Sequence, residues 1–320
     1  MEDVDTAPVV VLTGTTASGK NRTGAIVAAA LHGEVISLDS MKVYVGMDIG
    51  TAKPSLVERR GVPHHLLDIL SPKESMDLRT YVNRAQTIRR ELVAKDRTPV
   101  VVGGTQLYLH GFLQGVFEGP DANAVFRDAF RQEVETIGLT ALHARLAAVD
   151  PATAARLHPN DQKRIERALE VHHLTGRPIS ELQREGTVRS TFPRYTAVLT
   201  WRRDQLDDRI DARVREMFNL GWVDEVRRIL LQGGFGRTSS AALGYEEVAA
   251  VVNGLLTQAA ATEIISANTR KFARKQLTWL RKIPHDLWIE AANDTDVLEA
   301  PVRILDGIAA KFPSLTQNRV

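Results

Sequence analysis

The sequence predicts an α/β protein with a parallel sheet and a core of the P-loop NTPase type. The first observation is an apolar run at residues 9–12, which has the pattern of a buried strand. A glycine-containing loop at residues 14–20 and an alanine-rich helical segment follow it directly. Two further apolar runs, at residues 34–38 and 99–102, have the same strand character. Strands that alternate with helical segments are typical of a parallel sheet.

A second feature of the sequence is a helical insertion. Residues 119–199 show successive helical patterns, without a clear buried strand before Thr196. We therefore expect a core that begins at residues 1–118, an all-helical insertion over residues 119–199, and residues 200–320 completing the core with C-terminal basic helices.

Composition restricts the class of protein. The chain has 320 residues, an ordinary apolar content of 43% and a net charge of only +2, so any nucleic-acid site must come from local clustering of charge. The absence of cysteine excludes disulfides, zinc–thiolate sites and thiol catalysis. There is no apolar stretch of transmembrane length, and the first residues are acidic rather than basic. We expect a cytoplasmic protein that does not associate with membranes.

The loop after the first strand predicts a phosphate or diphosphate site. Strand, glycine loop, lysine and helix follow one another in the order of a phosphate-binding loop. Glycines let the backbone wrap an anion, and amides at the helix N-terminus point at it. The residues that we expect to bind it are Gly14, Thr15, Thr16, Ala17, Ser18, Gly19, Lys20 and Asn21.

Asn21 departs from the usual form of this motif. The residue after the lysine is normally Ser or Thr, whose hydroxyl binds Mg²⁺. An amide oxygen can still bind Mg²⁺, a cation that prefers oxygen, although more weakly or through water. We expect Mg²⁺ as the cofactor and Asn21 as its protein ligand.

Asp39 follows the second strand, so it should face the same crevice as the phosphate loop. Three interpretations are open: a solvated helix cap, a metal-binding aspartate as in nucleoside triphosphatases, or a general base beside the phosphate loop. The strand at residues 99–102 ends in glycines and Thr105, without an aspartate, so a full ATPase set is missing. This favours the general base.

A long amphipathic helix is predicted over residues 262–283. Arg270, Arg274 and Arg281 fall together on one stripe, and no acidic residue occurs between Arg270 and Lys282. Charge runs usually form a solvated face. In a chain whose charge is otherwise balanced, this stripe favours contact with a nucleic-acid backbone.

Several longer blocks of sequence resemble a known family. They are GTTASGK with DS at 39–40, VYVGMDIGTAKP, GVPHHLLDI, VVVGGTQLYL, DPATAARLHPNDQKRIERALEV, TGRPIS, ALGYEE and FARKQLTWLRK, in this order. Together they resemble the bacterial tRNA dimethylallyltransferase (tRNA isopentenyltransferase) family, from about residue 9 to residue 290.

The resemblance implies a reaction and its partners. Such enzymes transfer the dimethylallyl group from dimethylallyl diphosphate to N6 of adenosine 37 in tRNAs that read codons beginning with U. Diphosphate is released, and Mg²⁺ assists. The family fold is a P-loop core with a helical insertion that grips the anticodon stem-loop, and a monomer is implied.

The resemblance also implies roles for particular residues. Asp39 acts as the catalytic base, while Thr105 and Arg127 contact substrate. The residues implied to contact tRNA are Asp39, Ser40, Met41, Lys42, Gln162, Lys163, Arg164, Ile165 and Glu166. The family usually has Pro at position 15, Ser or Thr at 21 and Gln at 42, whereas this chain has Thr15, Asn21 and Lys42. A lysine can donate a hydrogen bond but cannot accept one, so Lys42 predicts altered recognition of the base or reduced activity.

Three alternatives to a tRNA dimethylallyltransferase stay open at this point. A transferase acting on free AMP or ADP would need neither the helical insertion nor the basic helix. A small-molecule kinase would consume ATP. A tRNA-binding protein weakened in catalysis through Asn21 and Lys42 would bind RNA without turnover.

Overall fold

The computed structural model describes residues 6–117, 119–186 and 192–316. The chain divides into two compact units. The first unit comprises Met1–Phe112 together with Thr191–Val320, and the second unit is Leu113–Ser190.

The first unit is built on a six-stranded parallel sheet with the strand order β3-β2-β4-β1-β5-β6. Its strands are β1 (Val9–Gly14), β2 (Gly33–Ser37), β3 (His64–His65), β4 (Thr98–Gly103), β5 (Arg194–Trp201) and β6 (Leu287–Ala291). Strand β1 pairs with β4 on one side and with β5 on the other. The predicted α/β class and the parallel sheet are confirmed.

The helices of the first unit surround this sheet. They are α1 (Lys20–Ala30), α2 (Leu56–Arg59), α3 (Leu78–Ala94) and α4 (Gln106–Gln114, which runs to the unit boundary), then α10 (Arg203–Asn219), α11 (Trp222–Leu231), α12 (Tyr245–Val252), α13 (Gln258–Leu280) and α14 (Asp294–Lys311). Short 3₁₀ turns occur at Ser239–Ala241 and Pro313–Leu315.

The second unit is helical throughout its described part. Its helices are α5 (Ala124–Ile137), α6 (Leu139–Val149), α7 (Pro151–Ala154), α8 (Gln162–Thr175) and α9 (Ile179–Gly186). A separate apolar core holds them together, with Phe130, Leu142, Leu146 and Ile165 at its centre. Because the segment has its own hydrophobic core, it forms a separate compact unit.

The predicted boundary of the insertion at residue 199 is wrong, since it cuts through β5. This strand pairs with β1 along its length, and Ala197, Val198 and Leu199 are fully buried in the sheet of the first unit. The unit boundary lies instead at residues 190–191. A buried central strand cannot be separated from its neighbours without exposing its backbone hydrogen-bonding groups, so it belongs to the core.

The core of the first unit lies between the sheet and the helices α1 and α14. Alternate residues of the strands, such as Val10 and Leu12, pack against Ala28 of α1 and against Ile304 and Ile308 of α14. The C-terminal part of the chain thus contains a helix, α14, that covers the sheet. Among the described residues, none of the helices combines the length and the apolar character that a membrane crossing requires.

Candidate active site

A cleft of about 920 Å³ opens where β1 and β2 end in the first unit. Its walls are the loop between β1 and α1, the loop after β2, the segment before α2, and one face of α10. Ligands of open α/β sheets bind at this edge, outside the carboxyl ends of the strands. The predicted phosphate loop and Asp39 therefore share one cleft.

The phosphate loop has the backbone geometry of an anion site. Gly19 caps α1 in the left-handed region, with φ of 89°, which a residue with a side chain rarely adopts. Helix α1 begins at Lys20, so its first amides have no partner within the helix and their dipoles point towards an anion. Thr15 and Ser18 carry buried hydroxyl groups that have no hydrogen-bond partner in the described part of the chain.

The loop is fixed by hydrogen bonds to its carbonyl groups. Lys20 Nζ donates to the Thr15 carbonyl at 2.9 Å, and Arg209 Nε donates to the Ala17 carbonyl at 3.4 Å. Trp201 Nε1 is 3.4 Å from the Ser18 carbonyl, and the guanidinium of Arg209 stacks 3.9 Å above the ring of Trp201. Because these carbonyls are engaged, the loop is held in one conformation before a ligand arrives.

Gln276 of α13 joins the phosphate loop to the loop after β4. Its side-chain oxygen accepts a hydrogen bond from the Thr16 amide at 2.8 Å, and its Nε2 donates to the Gly104 carbonyl at 3.0 Å. A Cβ at position 104 would lie only 2.9 Å from Gln276 Nε2, so the approach requires a glycine. Gln276 is 3% exposed. The sequence analysis did not identify it, because no local pattern reveals a contact across 260 residues.

Asp39, which lines the cleft, and Thr105 lie on two loops that are joined through Ser40. The Met41 amide donates to Asp39 Oδ1 at 3.0 Å, which fixes the carboxylate. Thr105 Oγ1 accepts from the Ser40 amide at 3.1 Å, so the hydroxyl hydrogen of Thr105 remains available to donate. The structure thus places Thr105, one of the two residues implied to contact substrate, beside the loop that carries Asp39, and its contact with substrate stays a prediction.

Three cations face Asp39 in the cleft. Burial, assisted by the charges of Lys42 and Arg213, lowers the pKa of Lys20 to about 7. Burial lowers the pKa of Lys42 to about 8, although Asp39 acts in the opposite direction. Burial also lowers the pKa of Arg213. Arg213 on α10 was not identified from the sequence. A site in which positive charges repel one another in this way is suited to a polyanion.

The donors for a magnesium ion are few. The side-chain oxygen of Asn21 and the carboxylate of Asp39 line the same cleft. Within the described residues, no cluster of three or more metal-binding side chains occurs. Mg²⁺ commonly takes one or two protein oxygens and completes its shell with phosphate and water. The residues therefore fit a magnesium ion that arrives with a phosphate ligand.

Buried Glu225 of α11 holds the loop before α2. Its carboxylate accepts hydrogen bonds from the amides of Asp48 at 2.8 Å and Ile49 at 2.7 Å, and from the Tyr245 hydroxyl at 2.8 Å. The Gly50 amide, at 3.3 Å, is a fourth donor, and four donors on one carboxylate explain how a charged group is tolerated at 1% exposure. This residue was also not identified from the sequence, although it fixes a wall of the cleft.

The predicted tRNA-contact segment 162–166 forms the first turn of α8, which Asp161 caps by accepting from the Arg164 amide at 3.3 Å. Gln162, Lys163 and Arg164 are exposed. Ile165 is fully buried in the core of the second unit. A side-chain contact from Ile165 to RNA is therefore contradicted, because the helical period turns this residue inward.

Arg127 also lies in the second unit, where it forms a bidentate ion pair with Glu170. Arg127 Nε and Nη2 donate to the carboxylate at 2.8 and 2.9 Å, and Arg167 and the Asn123 amide complete its hydrogen bonding. Burial alone would raise the pKa of Glu170, but these hydrogen bonds hold it below its ordinary value. The structure gives Arg127 a structural partner, and its contact with substrate stays a prediction.

Two of the three arginines in the basic stripe of α13 form ion pairs within the protein. Arg270 pairs with Asp211, and Arg274 lies 3.8 Å from Asp207, both on α10. Arg281 caps the helix and is exposed. Two of the three arginines therefore join α13 to α10, and an RNA contact by the stripe stays a prediction.

Comparison with known proteins identifies the family of the chain. The family model described as IPP transferase matches residues 42–283. A tRNA dimethylallyltransferase of Pelotomaculum thermopropionicum is 40% identical over 291 residues, covering 90% of this chain and 92% of the relative. Its counterpart in Symbiobacterium thermophilum is 44% identical over 310 residues, covering 96% of each chain.

Solved structures agree as well. The full-length tRNA isopentenylpyrophosphate transferase of Bacillus halodurans superposes with a TM-score of 0.69 at 36% identity, covering 95% of this chain and 97% of that one. A eukaryotic dimethylallyltransferase acting on tRNA gives a TM-score of 0.81 at 25% identity, covering 98% of this chain and 82% of that one. The chain belongs to the IPP transferase family.

Proposed function

We propose that the protein is a tRNA dimethylallyltransferase. It transfers the dimethylallyl group of dimethylallyl diphosphate to N6 of adenosine 37 in tRNAs that read codons beginning with U. The observation that carries this proposal is that Asp39 and the phosphate loop line one cleft in a chain of the IPP transferase family.

Asp39 acts as the general base. The adenine N6 amine is a poor nucleophile, because its lone pair is delocalised into the ring. As N6 bonds to C1 of the dimethylallyl group, the bond between C1 and the diphosphate oxygen breaks, and the N6 proton passes to the Asp39 carboxylate. The Met41 amide orients this carboxylate, and the Thr105 hydroxyl has a hydrogen to donate to substrate.

The phosphate loop holds the leaving diphosphate. The first amides of α1, the loop hydroxyls of Thr15 and Ser18, and the cations Lys20 and Arg213 are donors for its oxygens. Asn21 is the residue that would hold Mg²⁺. When bound, the metal would neutralise charge on the diphosphate as the C–O bond breaks. No nucleotide hydrolysis is involved.

The RNA contact is assigned to residues that are exposed or partly exposed. We propose that Ser40, Met41, Gln162, Lys163, Arg164, Glu166 and Arg281 contact the anticodon stem-loop. The target adenine has to leave its stack, which costs little in a single-stranded loop. We further propose that the protein acts as a cytoplasmic monomer.

The experiment is a comparison of acceptors with one labelled donor. The purified protein is incubated with labelled dimethylallyl diphosphate and Mg²⁺, together with either an unmodified anticodon stem-loop carrying A36-A37-A38 or AMP. Label in the stem-loop alone is the expected result. Label in AMP would assign the protein to adenylate transfer, and RNA binding without label would indicate a weakened homologue. Stoichiometric ATP consumption with a phosphorylated product would indicate a kinase.

A further inference from the structure

We propose that the Lys42 ammonium is a third cationic ligand of the diphosphate, beside Lys20 and Arg213, and that it reduces the dependence of diphosphate binding on magnesium. This inference builds on the donor site of the proposed function and goes beyond it. It concerns a residue that the family resemblance assigned to RNA instead.

The first observation is that the largely buried side chain of Lys42 reaches the cleft without a hydrogen bond at its ammonium group. The residue is 5% exposed and contributes to the wall of the cleft. Its nearest carboxylate oxygen is Asp39 Oδ2, at 3.9 Å from Nζ, which is beyond hydrogen-bond distance. Elsewhere in the described chain, Nζ has no acceptor. Because the side chain around it is largely buried, this ammonium has little room for water, and an anion in the cleft would supply acceptors for its N–H groups.

The second observation is the balance of charge around Lys42. Asp39, on the same loop, and Glu58 of α2 attract its charge, whereas Arg213 of α10 and Lys53 oppose it. Lys53 is itself paired with Asp48 at 2.6 Å and Asp68 at 2.5 Å, so it does not compete for the ligand.

Lys20, Lys42 and Arg213 thus share the cleft, and Asp39 is the carboxylate that acts most strongly on Lys42 and Arg213. Lys42 and Arg213 each lower the pKa of Lys20, so all three charges act on the same small volume. A diphosphate carries several negative charges and can contact cations on more than one side, which relieves this repulsion.

The third observation is the small number of oxygens that a metal could use. Asn21 offers an amide oxygen, and the carboxylate of Asp39 is already the proposed base. Of the other carboxylates that line the cleft, Asp48 and Asp68 are paired with Lys53. Neutralisation of the leaving group by a protein ammonium would reduce the contribution required from Mg²⁺. An RNA phosphate or base is the other possible partner of Lys42. The residue is only 5% exposed, and its charge lowers the pKa of Lys20 in the phosphate loop. Both observations favour the diphosphate as its partner.

The test is calorimetric titration of the full chain with inorganic diphosphate, in EDTA and in Mg²⁺. For the unaltered protein we expect binding in EDTA that is weaker than in Mg²⁺ by less than about tenfold. Lys42→Gln should weaken binding in EDTA by about 10- to 100-fold, the loss of one charge-assisted hydrogen bond, and by much less in Mg²⁺. Lys42→Arg keeps the positive charge and should retain binding in EDTA. Retained binding would show that the position tolerates substitution.

Arg22→Gln serves as the matched control, because it removes an exposed positive charge at the rim of the same cleft. Its affinity for diphosphate should change by less than about threefold. Equal affinity of Lys42→Gln and the unaltered protein in EDTA would overturn the inference. So would weaker binding of the anticodon stem-loop by Lys42→Gln with diphosphate binding unchanged, since Lys42 would then face RNA. If the unaltered protein bound no diphosphate in either buffer, the donor site of the proposed function would itself fail.

Discussion

Removing both hydrogen bonds of Gln276 should reduce catalysis more than it reduces stability. Gln276→Met keeps the bulk of the side chain in its buried site but leaves the Thr16 amide and the Gly104 carbonyl without their partner. Each bond contributes about 0.5–1.5 kcal/mol, so the two together contribute about 1–3 kcal/mol to holding the phosphate loop against the loop that carries Thr105.

This free energy sets the expected rate. If the two loops must be in contact in the transition state, losing about 1–3 kcal/mol of this contact free energy would lower kcat/KM by about 5- to 150-fold. Gln276→Glu retains the acceptor for Thr16 but places a carboxylate oxygen opposite the Gly104 carbonyl. It should therefore lose diphosphate affinity as well, because it adds a negative charge close to the phosphate loop.

The assay is steady-state transfer of a labelled dimethylallyl group to an anticodon stem-loop, accompanied by thermal unfolding of each variant. Asn268→Ala is the matched control, because it removes an exposed side-chain amide on the same helix as Gln276. This amide donates to Glu247 of α12 at 3.1 Å. We expect its kinetics to be unchanged. If Gln276→Met lowered the unfolding temperature but left kcat/KM unaltered, the positioning role of Gln276 would be refuted.

Three further predictions concern the ion pair of the second unit, the titration of the cleft and the metal. Glu170→Ala should destabilise the second unit by about 3–5 kcal/mol, since it removes a buried carboxylate that pairs with the partly buried Arg127 and Arg167. Glu181→Ala, at an exposed pair, should cost far less, and urea unfolding measures both changes. Diphosphate affinity should fall as pH rises from 7 to 8, because Lys20, with a pKa of about 7, loses its proton in the free cleft; a titration series that shows no fall, or the same fall in Lys20→Met, would contradict this. Asn21→Thr should lower the Mg²⁺ concentration at which transfer is half-maximal, and an unchanged half-maximal concentration would exclude Asn21 as a ligand.

The parts of the site that follow one another in sequence could be predicted. The order of strand, glycine loop and helix identified the phosphate loop, and the position of Asp39 after a buried strand placed it at the same edge of the sheet. These inferences succeed because the carboxyl ends of parallel strands meet at one edge.

The contacts between distant segments could not be predicted in this way. Gln276, Arg213 and Glu225 are polar residues on helices, where local patterns place polar side chains at the surface. Their roles come from partners up to 260 residues away, as for Gln276 and Thr16. The same limit applies to the basic stripe of α13, since the carboxylates that pair with it lie on α10.

The sequence analysis did not predict the C-terminal helix α14, for a different reason. Its buried residues Ala300, Ile304 and Ile308 do follow the helical period, but Pro301 stands among them. Proline in a helix interior normally ends or kinks the helix. Here the capping box formed by Asn293 and Asp296 and the burial of this face against the sheet outweigh that cost.

The measurement that tests the central claim most directly is nucleoside mass spectrometry of a tRNA anticodon stem-loop after reaction with Asp39→Asn and with the unaltered protein. Each protein is first shown by titration to bind inorganic diphosphate. The account predicts N6-dimethylallyladenosine at the adenosine following the anticodon with the unaltered protein. With Asp39→Asn, the rate of its formation should be lower by about 10²- to 10⁴-fold while diphosphate affinity is retained. Formation of the same nucleoside at an equal rate by both proteins would contradict the role of Asp39 as the base.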